Sequence, residues 1–261
     1  MIRDKYPEYA PKVFSYEESI VVFLDILGFK NKVIESLTSS KAIKQIAELL
    51  EYIEAFNTTN GVNEFISTKN IIDLPNLELT ESDIKQITNQ IQILQFSDSL
   101  VITLPYTACD FIKKISLITY NLAYLIGKLA MSNFFIRGGI AIGKIYHKGN
   151  IIFGPALLKA YELESKYAVY PRVILSEELD AKLQKFGAIN SVPFIKRNRG
   201  DWLYVDFIVF AKAIQNSSVC ITLIMENVKN NIAECDEKIE ATKRIKEKYE
   251  WLLQKIEELE A

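Results

Sequence analysis

Two aspartates, far apart in the sequence, could together hold a divalent cation. Asp25 follows the apolar run Ile20 to Phe23 and precedes Gly28 by three residues, while Asp98 lies between two apolar segments. A carboxylate at a strand end, beside a glycine turn and a helix start, can ligate a hard cation while N–H groups of the turn face phosphate oxygens. Mg²⁺ usually binds one or two protein carboxylates together with water and substrate phosphates. The pair therefore predicts a Mg²⁺ or Mn²⁺ site, but taken alone Asp25 could also cap an ordinary strand-to-helix turn.

The elements that would position these carboxylates follow from hydrophobic patterning. Residues 20–23 are β-branched or aromatic without a polar interruption, which is typical of a strand buried on both faces. Residues 90–105 predict a strand, a tight turn that contains Asp98, and a second strand. Both carboxylates are therefore expected on the rim of buried strands.

The remaining chain alternates between helical and strand patterns. Apolar spacing predicts helices over residues 42–56, 110–131, 155–168 and 177–186, and strands over residues 134–145, 150–153, 171–176 and 202–210. Residues 1–17 predict an N-terminal arm, and the Asn- and Thr-rich residues 57–88 an insertion loop. This order predicts an α+β fold, a mixed sheet with helices on one face.

The last segment, residues 211–261, has a different pattern. Apolar residues recur four and three apart from Ile221 to Ile239, and again from Ile245 to Leu259 after a break near Thr242. This predicts a long C-terminal helix with a seam that is interrupted once. The seam could pack against the chain's own domain or form a dimer helix, and so few heptads leave both alternatives open.

Composition excludes several classes of function. A net charge of −2 gives no reason to expect binding to nucleic acid or to an anionic membrane. Three scattered cysteines favour a reducing cytoplasm and argue against zinc. The N-terminus lacks the apolar core of a signal peptide, and no run is long enough to span a bilayer, so we expect a cytoplasmic protein without membrane insertion. The single histidine, His147, in a predicted turn, argues against histidine-dependent nucleophilic catalysis.

A glycine-rich segment imitates a nucleotide-binding loop. Gly138 to Lys144 matches G-x-x-x-x-G-K, but Ile145 follows where a P-loop has Ser or Thr, and the interior predicts a strand. Gly138 and Gly139 are better explained by a close approach of two backbones. The preceding Arg137 could serve a triphosphate or form a surface ion pair.

Three blocks of the sequence resemble the motifs of class III nucleotidyl cyclases. FLDILGF (residues 23–29) is similar to the first metal motif of that family, and FSDSLVI (residues 96–102) to the second. The stretch from Arg137 to Ser165 is similar to the family's arginine-glycine-isoleucine hairpin and the helix after it. These blocks occur in family order within residues 18–176. The resemblance implies a ferredoxin-like catalytic domain over residues 18–210, and a homodimer with composite active sites.

The resemblance also assigns roles at the metal and phosphate end of the site. Asp25, Asp98 and the backbone carbonyl of Ile26 would hold two Mn²⁺ or Mg²⁺ ions, with Arg137 as a further catalytic residue. The backbone of residues 27–29 (Leu27, Gly28 and Phe29) would cradle the β- and γ-phosphates.

Other nucleotide contacts follow from the same resemblance. Lys196 and Arg197 lie near the position of the family's phosphate-binding lysine, although KRNRG could be only a solvated turn. Phe23, Tyr161 and Glu162 are candidates for contacts to the nucleotide, with packing as the alternative role for Tyr161.

The residues that bind purine bases in the family are absent. Leu94 and Ile151 occupy the positions of the base-reading lysine and aspartate, and Leu158 and Glu162 those of the transition-state asparagine and arginine. Losing hydrogen-bonding base readers should change the base or abolish selection. The pattern resembles the pyrimidine cyclases of bacterial anti-phage (Pycsar) systems, which make cyclic UMP or cyclic CMP for a separate effector protein. It implies UTP or CTP as the substrate.

Three alternatives stay open at the level of sequence. The chain could be a purine (adenylate or guanylate) cyclase, a non-catalytic cyclase-like module that binds nucleotide and signals through its C-terminal helix, or a structural protein whose aspartates cap turns. Retention of both aspartates argues against the signalling module, because a pure sensor would not need them.

Overall fold

The computed structural model describes residues 14–57, 79–197, 202–213, 217–235 and 240–260. Within these ranges, eight strands form one mixed sheet in the order β2-β3-β1-β4-β6-β8-β7, with β5 paired to β4. The strands are β1 (Glu17–Ile26), β2 (Gln92–Phe96), β3 (Ser99–Pro105), β4 (Ile136–Lys148), β5 (Ile151–Phe153), β6 (Val173–Leu175), β7 (Ile195–Arg197) and β8 (Leu203–Val205).

Helices connect and cover these strands. They are α1 (Phe29–Ser36), α2 (Ser40–Asn57), α3 (Glu81–Thr88), α4 (Phe111–Met131), α5 (Pro155–Glu162), α6 (Glu177–Lys185), α7 (Phe207–Ala213), α8 (Ser217–Ala233) and α9 (Glu240–Glu260). A π-helical turn, Leu163–Tyr167, continues directly from α5. The prediction of an α+β fold with a mixed sheet and a C-terminal helix is confirmed.

Strand β1 lies between β3 and β4 and is antiparallel to both. Its side chains alternate between the two faces of the sheet. Val22 and Leu24 join the larger hydrophobic core, which also contains most of α4. Val21 and Phe23 face the smaller cluster beneath α5 on the opposite side. Most helices therefore cover one face, as predicted, and α5 covers part of the second face.

Glycines in β4 let α5 approach the sheet closely. A Cβ atom on Gly139 would lie 2.5 Å from the carbonyl oxygen of Ala160 and 2.5 Å from Cβ of Leu163. A Cβ atom on Gly138 would lie 2.4 Å from the carbonyl oxygen of Phe23 on the neighbouring strand. These glycines serve a close backbone approach inside a strand, so the rejection of a P-loop is confirmed. The hairpin turn begins only after Lys148, and the predicted position of His147 in a turn is wrong.

Two predicted elements differ from the structure. Of the predicted loop over residues 57–88, Asn57 ends α2 and Glu81–Thr88 is a helix, while residues 58–78 lie outside the described residues. Helix α3 begins because the side chain of Thr80 accepts the N–H of Asp83 and the side chain of Asp83 accepts the N–H of Thr80.

The predicted strand over residues 202–210 is also wrong beyond residue 205. The strand ends at Val205, because the carboxylate of Asp206 then accepts the N–H groups of Ile208 and Val209 and starts α7. A run of apolar residues cannot distinguish a strand from a buried helix, and the aspartate inside the run was the overlooked signal.

The C-terminal segment packs against its own chain. After the end of α7 it contains α8 and α9, so the break falls before Thr242, which lies inside α9. Val228, Leu252 and Ile256 are buried in the larger core. Of the two alternatives for this seam, packing within the chain is confirmed. The proposed N-terminal arm lies mostly outside the described residues, and β1 already includes Glu17. No helix in the described ranges is both long and apolar enough to cross a membrane.

We expect Gly139→Ala to lower the free energy of unfolding by about 3 kcal/mol, because the added methyl group meets backbone that cannot move aside. Gly127→Ala is the matched control, since its Cβ would come no closer than 3.8 Å to a neighbour. In the middle of α4 that change should stabilise the protein by roughly 0.5–1 kcal/mol. Urea denaturation of both variants measures the difference, and equal stability would contradict the packing of α5 described here.

Candidate active site

The sheet register brings the two predicted carboxylates to one rim. Asp25 lies opposite Ser99, the first residue of β3, and Asp98 immediately precedes Ser99 in the turn from β2. Asp25 follows Val21 and Phe23 on the face that α5 covers. Burial is the main cause of a raised pKa at Asp25, and the negative charge of Asp98 adds to it, so the two side chains lie within electrostatic range of each other.

Arg137 on β4 contacts both Asp25 and a third carboxylate, Glu164. Across the β1–β4 ladder, the Nε of Arg137 donates a hydrogen bond to Oδ2 of Asp25 at 3.1 Å. Its Nη2 atom lies 2.7 Å from Oε1 of Glu164, an ion pair that lacks hydrogen-bond alignment. Of the alternatives for Arg137, the structure shows an ion pair, although a half-buried one beneath α5 and not a surface one.

Burial governs the protonation of these carboxyl groups. Burial raises the pKa of Asp25, and the hydrogen bond and charge of Arg137 only partly offset it. The pKa of Glu164 is raised for the same reason, again against the influence of Arg137. A buried carboxylate keeps its charge best beside a cation, so both groups favour the arrival of additional positive charge.

Glu164 was not predicted from the sequence. Residues 155–168 have the spacing of one continuous helix, but the structure changes to a π-helical turn at Leu163. That turn directs Glu164 to Arg137, leaving only 4% of its side chain exposed. Such π-helical turns are frequent at functional sites, but no residue pattern announces this one.

The donor set fits a hard divalent cation. Within the described ranges, no cluster of three or more His, Cys, Asp or Glu side chains has the arrangement of a metal site. Asp25 and Asp98 instead provide the one or two carboxylates that Mg²⁺ or Mn²⁺ requires when substrate phosphates and water complete the shell. The side chain of Ile26 is buried in the core, so this residue could contribute only its backbone carbonyl.

The predicted phosphate turn is only partly available. Gly28 has a φ of 76° and precedes the first residue of α1, where a helix start can face an anion. The N–H of Leu27, however, donates to the carbonyl of Phe135 at 2.8 Å, and the ring of Phe29 is buried in the core. The N–H of Leu27 is therefore engaged within the fold, and the role of the backbone of residues 27–29 at the phosphates stays a prediction.

A cavity of about 340 Å³ opens beside this turn. Residues 27–29 form one wall, and α8 and α9 form another. Lys248 of α9 lines it and also lies within electrostatic range of Asp25, Glu164 and Arg137. Lys248 was missed by the sequence analysis, since its helix carries many lysines at similar spacing.

The predicted contacts on α5 lie on the second face of the sheet. The ring of Phe23 meets the ring of Tyr161 edge-on, with centroids 5.3 Å apart, so Tyr161 has the packing role considered as its alternative. About half of Tyr161 is exposed. Glu162 forms an exposed ion pair with Lys166 at 3.0 Å.

Lys196 and Arg197 lie far from Asp25 within the same chain. They lie on β7 at the far edge of the sheet, where Lys196 is 3.8 Å from Asp206 and Arg197 pairs with Asp180. Strands β4, β6 and β8 separate β7 from β1, which corresponds to roughly 19 Å at the usual strand spacing.

No protein-family model matches the chain, and no curated protein matches its sequence. Among solved structures, the chain is similar to a class III adenylyl cyclase-like ATP-binding protein from Pseudomonas aeruginosa, with 14% identity, 62% of this chain covered and a TM-score of 0.37. The match spans 34% of that protein, about a third of its length.

A second similar structure is the catalytic core of a rhodopsin-guanylyl cyclase with converted specificity, bound to ATPαS. Its identity to this chain is 17% and its TM-score is 0.40, over 73% of this chain and 94% of that one. Likeness at this level does not establish a family, so the function has to follow from the geometry of the site.

Removing Arg137 should destabilise the fold. In Arg137→Met, Asp25 and Glu164 lose their nearest cation, and we expect the free energy of unfolding at neutral pH to fall by ~3 kcal/mol. Arg197→Met removes a more exposed arginine–carboxylate pair and should cost at most about 1 kcal/mol. Chemical denaturation compares the two, and a smaller loss for Arg137→Met than for Arg197→Met would disprove the importance of this pair.

The deficit of Arg137→Met should depend on pH. Both carboxyl groups have a raised pKa in the folded chain, so the folded state binds protons more readily than the unfolded state. Their stabilising contribution is fully present below the unfolded pKa values and is lost as the pH rises through the folded values. Without Arg137 that loss should be larger. The difference in the free energy of unfolding between wild type and Arg137→Met should therefore be greatest near pH 8 and should shrink as the pH is lowered to about 4. A constant deficit over this range would exclude these groups as its cause.

Proposed function

We propose that this chain is a metal-dependent nucleotidyl cyclase. The ribose 3′-oxygen of a nucleoside triphosphate attacks its own α-phosphorus, a 3′,5′-cyclic phosphate forms, and pyrophosphate leaves. The observation that carries the proposal is the convergence of Asp25 and Asp98 on one rim of the sheet, beside the Gly28 turn and a cavity. Carboxylates next to a helix start suit a substrate that carries both metal and phosphate.

In this proposal, each residue of the site has a role that follows from its position. Asp25, Asp98 and the Ile26 carbonyl hold two Mn²⁺ or Mg²⁺ ions, which when bound lower the pKa of the 3′-hydroxyl and neutralise the departing phosphates. Arg137 holds Asp25 in place through its hydrogen bond and adds positive charge next to the reacting phosphate. The start of α1 at Gly28 orients the outer phosphates.

We further propose a pyrimidine substrate, UTP or CTP. Leu94 on β2 packs against the cluster beneath α5, and Ile151 on β5 is exposed. Neither side chain can hydrogen-bond a purine. The product, cyclic UMP or cyclic CMP, would be sensed by a separate effector protein in anti-phage defence.

Turnover with Mn²⁺ and each of the four ribonucleoside triphosphates tests this function. We expect cyclic UMP or cyclic CMP from the wild type, and a loss of about 10³-fold or more in Asp25→Asn and Asp98→Asn, because the charge stabilisation supplied by the metals is worth several kcal/mol. Glu48→Gln, which alters an exposed carboxylate on α2 away from the proposed site, is the control and should keep full activity.

Each other outcome has a distinct meaning. Cyclic AMP or cyclic GMP as the main product would show a purine cyclase, and nucleotide binding without any product would show a non-catalytic module. Wild-type turnover in both aspartate variants would remove these residues from the metal site. Thermal melting of each variant shows whether a loss of activity is caused by unfolding.

We also propose a homodimer with two composite sites. The distance across the sheet between β1 and β7 supports this, since Lys196 and Arg197 can serve a metal site only if it belongs to another subunit. The exposed tyrosine and leucine on α5, Tyr161 and Leu158, lie on the same face as Asp25 and would be covered in such an assembly.

Mixing inactive variants tests the composite site. An equimolar mixture of Asp25→Asn with the double variant Lys196→Met/Arg197→Met should recover about a quarter of the wild-type activity, because half of the dimers contain one intact site. Asp25→Asn mixed with Asp98→Asn is the control, and it should recover nothing, since both changes damage the same half of each site. Full activity of the double variant on its own, or an active monomer in sedimentation, would contradict the proposal.

A further inference from the structure

In the part of the chain that the structure describes, Lys248 is a half-buried cation without a direct partner. It lies on α9, and among the residues that the structure describes no carboxylate is within ion-pair distance of its ammonium group and no side chain hydrogen-bonds to it. The neighbouring Lys246 of the same helix, by contrast, pairs with Glu250. A cation that is half removed from water without a partner is costly, and such groups are common where a ligand supplies the missing charge.

The surroundings of Lys248 connect the two halves of the proposed site. On one side it lies within electrostatic range of Asp25 and Glu164, which attract it, and of Arg137, which repels it. On the other side it lines the cavity of about 340 Å³ together with Gly28. It is therefore the described lysine that lies both near the proposed metal carboxylates and beside the turn at the start of α1.

The cavity itself has a polar wall. Lys32 lines it but is engaged with Glu35 at 3.0 Å, and Asn231 donates to Asn133 at 2.8 Å. Glu35 and Glu234 supply the negative charge of this wall, so an anion would depend on an additional cation. The volume is at the lower end of ligand cavities and suits a chain of phosphates more than a whole nucleotide.

We propose that Lys248 binds the β- and γ-phosphate oxygens of the substrate, so that α9 completes the phosphate end of the site from within the same chain. This inference rests on the proposed function and assigns one more residue to it. Among the described side chains of the same chain near Asp25 and Glu164, Lys248 would add a second cation to Arg137 as countercharge for the triphosphate oxygens. The ammonium group of a lysine is a compact point charge that suits phosphate oxygens.

The direct test uses isothermal titration calorimetry to measure the affinity of the full chain for inorganic tripolyphosphate in the presence of Mg²⁺. We expect Lys248→Met to weaken this binding by roughly tenfold to a hundredfold, the usual effect of losing a charged hydrogen-bond donor. Lys248→Arg should retain most of the affinity. Lys243→Met alters an exposed lysine of the same helix and should bind as the wild type does. Lys248→Gln replaces Lys248→Met if thermal melting shows that the latter is unfolded.

The outcomes separate this inference from the cyclase proposal. The role of Lys248 would be overturned if Lys248→Met kept its affinity for tripolyphosphate, whether or not the variant lost stability. It would also be overturned if the wild type did not bind tripolyphosphate. Absence of turnover by the wild type would instead overturn the cyclase function, while a Lys248-dependent affinity for tripolyphosphate would still support the phosphate site. In an active wild type, Lys248→Met should raise the KM for the triphosphate by a similar factor.

Discussion

Asp25 has to remain charged while most of its side chain is removed from water, and this constraint shapes its surroundings. Its side chain is only 20% exposed, near the end of a strand in which residues 20–22 and Leu24 are buried. A buried carboxylate without a countercharge would take up a proton and lose its value as a ligand. Arg137, directly across the ladder, supplies that countercharge and holds the carboxylate in one orientation.

Several features of the fold serve this one pair. The β1–β4 register places Arg137 opposite Asp25, and the β1–β3 register places the turn with Asp98 beside them. Gly139 lets α5 approach the sheet, and the π-helical turn after α5 then directs Glu164 to the guanidinium group. The site thereby accumulates more negative than positive charge, which favours divalent cations but also requires cations for the phosphates.

Sequence patterns located the rim of the site better than its interior. Asp25 and Asp98 could be placed because Asp25 follows an apolar run and Asp98 lies in a turn between two apolar segments, and such strand patterns can be read from the sequence. Glu164 could not, because its position depends on a local change of helix type. Lys248 could not either, because its proximity to Asp25 depends on how α9 packs after more than a hundred intervening residues. The helical starts at Thr80 and Asp206 carried capping signals that hydrophobic periodicity alone overlooks.

The central claim is that Asp25 and Asp98 share a divalent cation when a triphosphate is bound. A crystal structure with Mn²⁺ and a non-cyclisable UTP or CTP analogue, with anomalous scattering recorded at the manganese edge, tests it most directly. We expect manganese peaks within ligand distance, about 2.2 Å, of both carboxylates. Manganese bound only elsewhere, with Asp25 still engaged by Arg137 alone and no metal near Asp98, would contradict it.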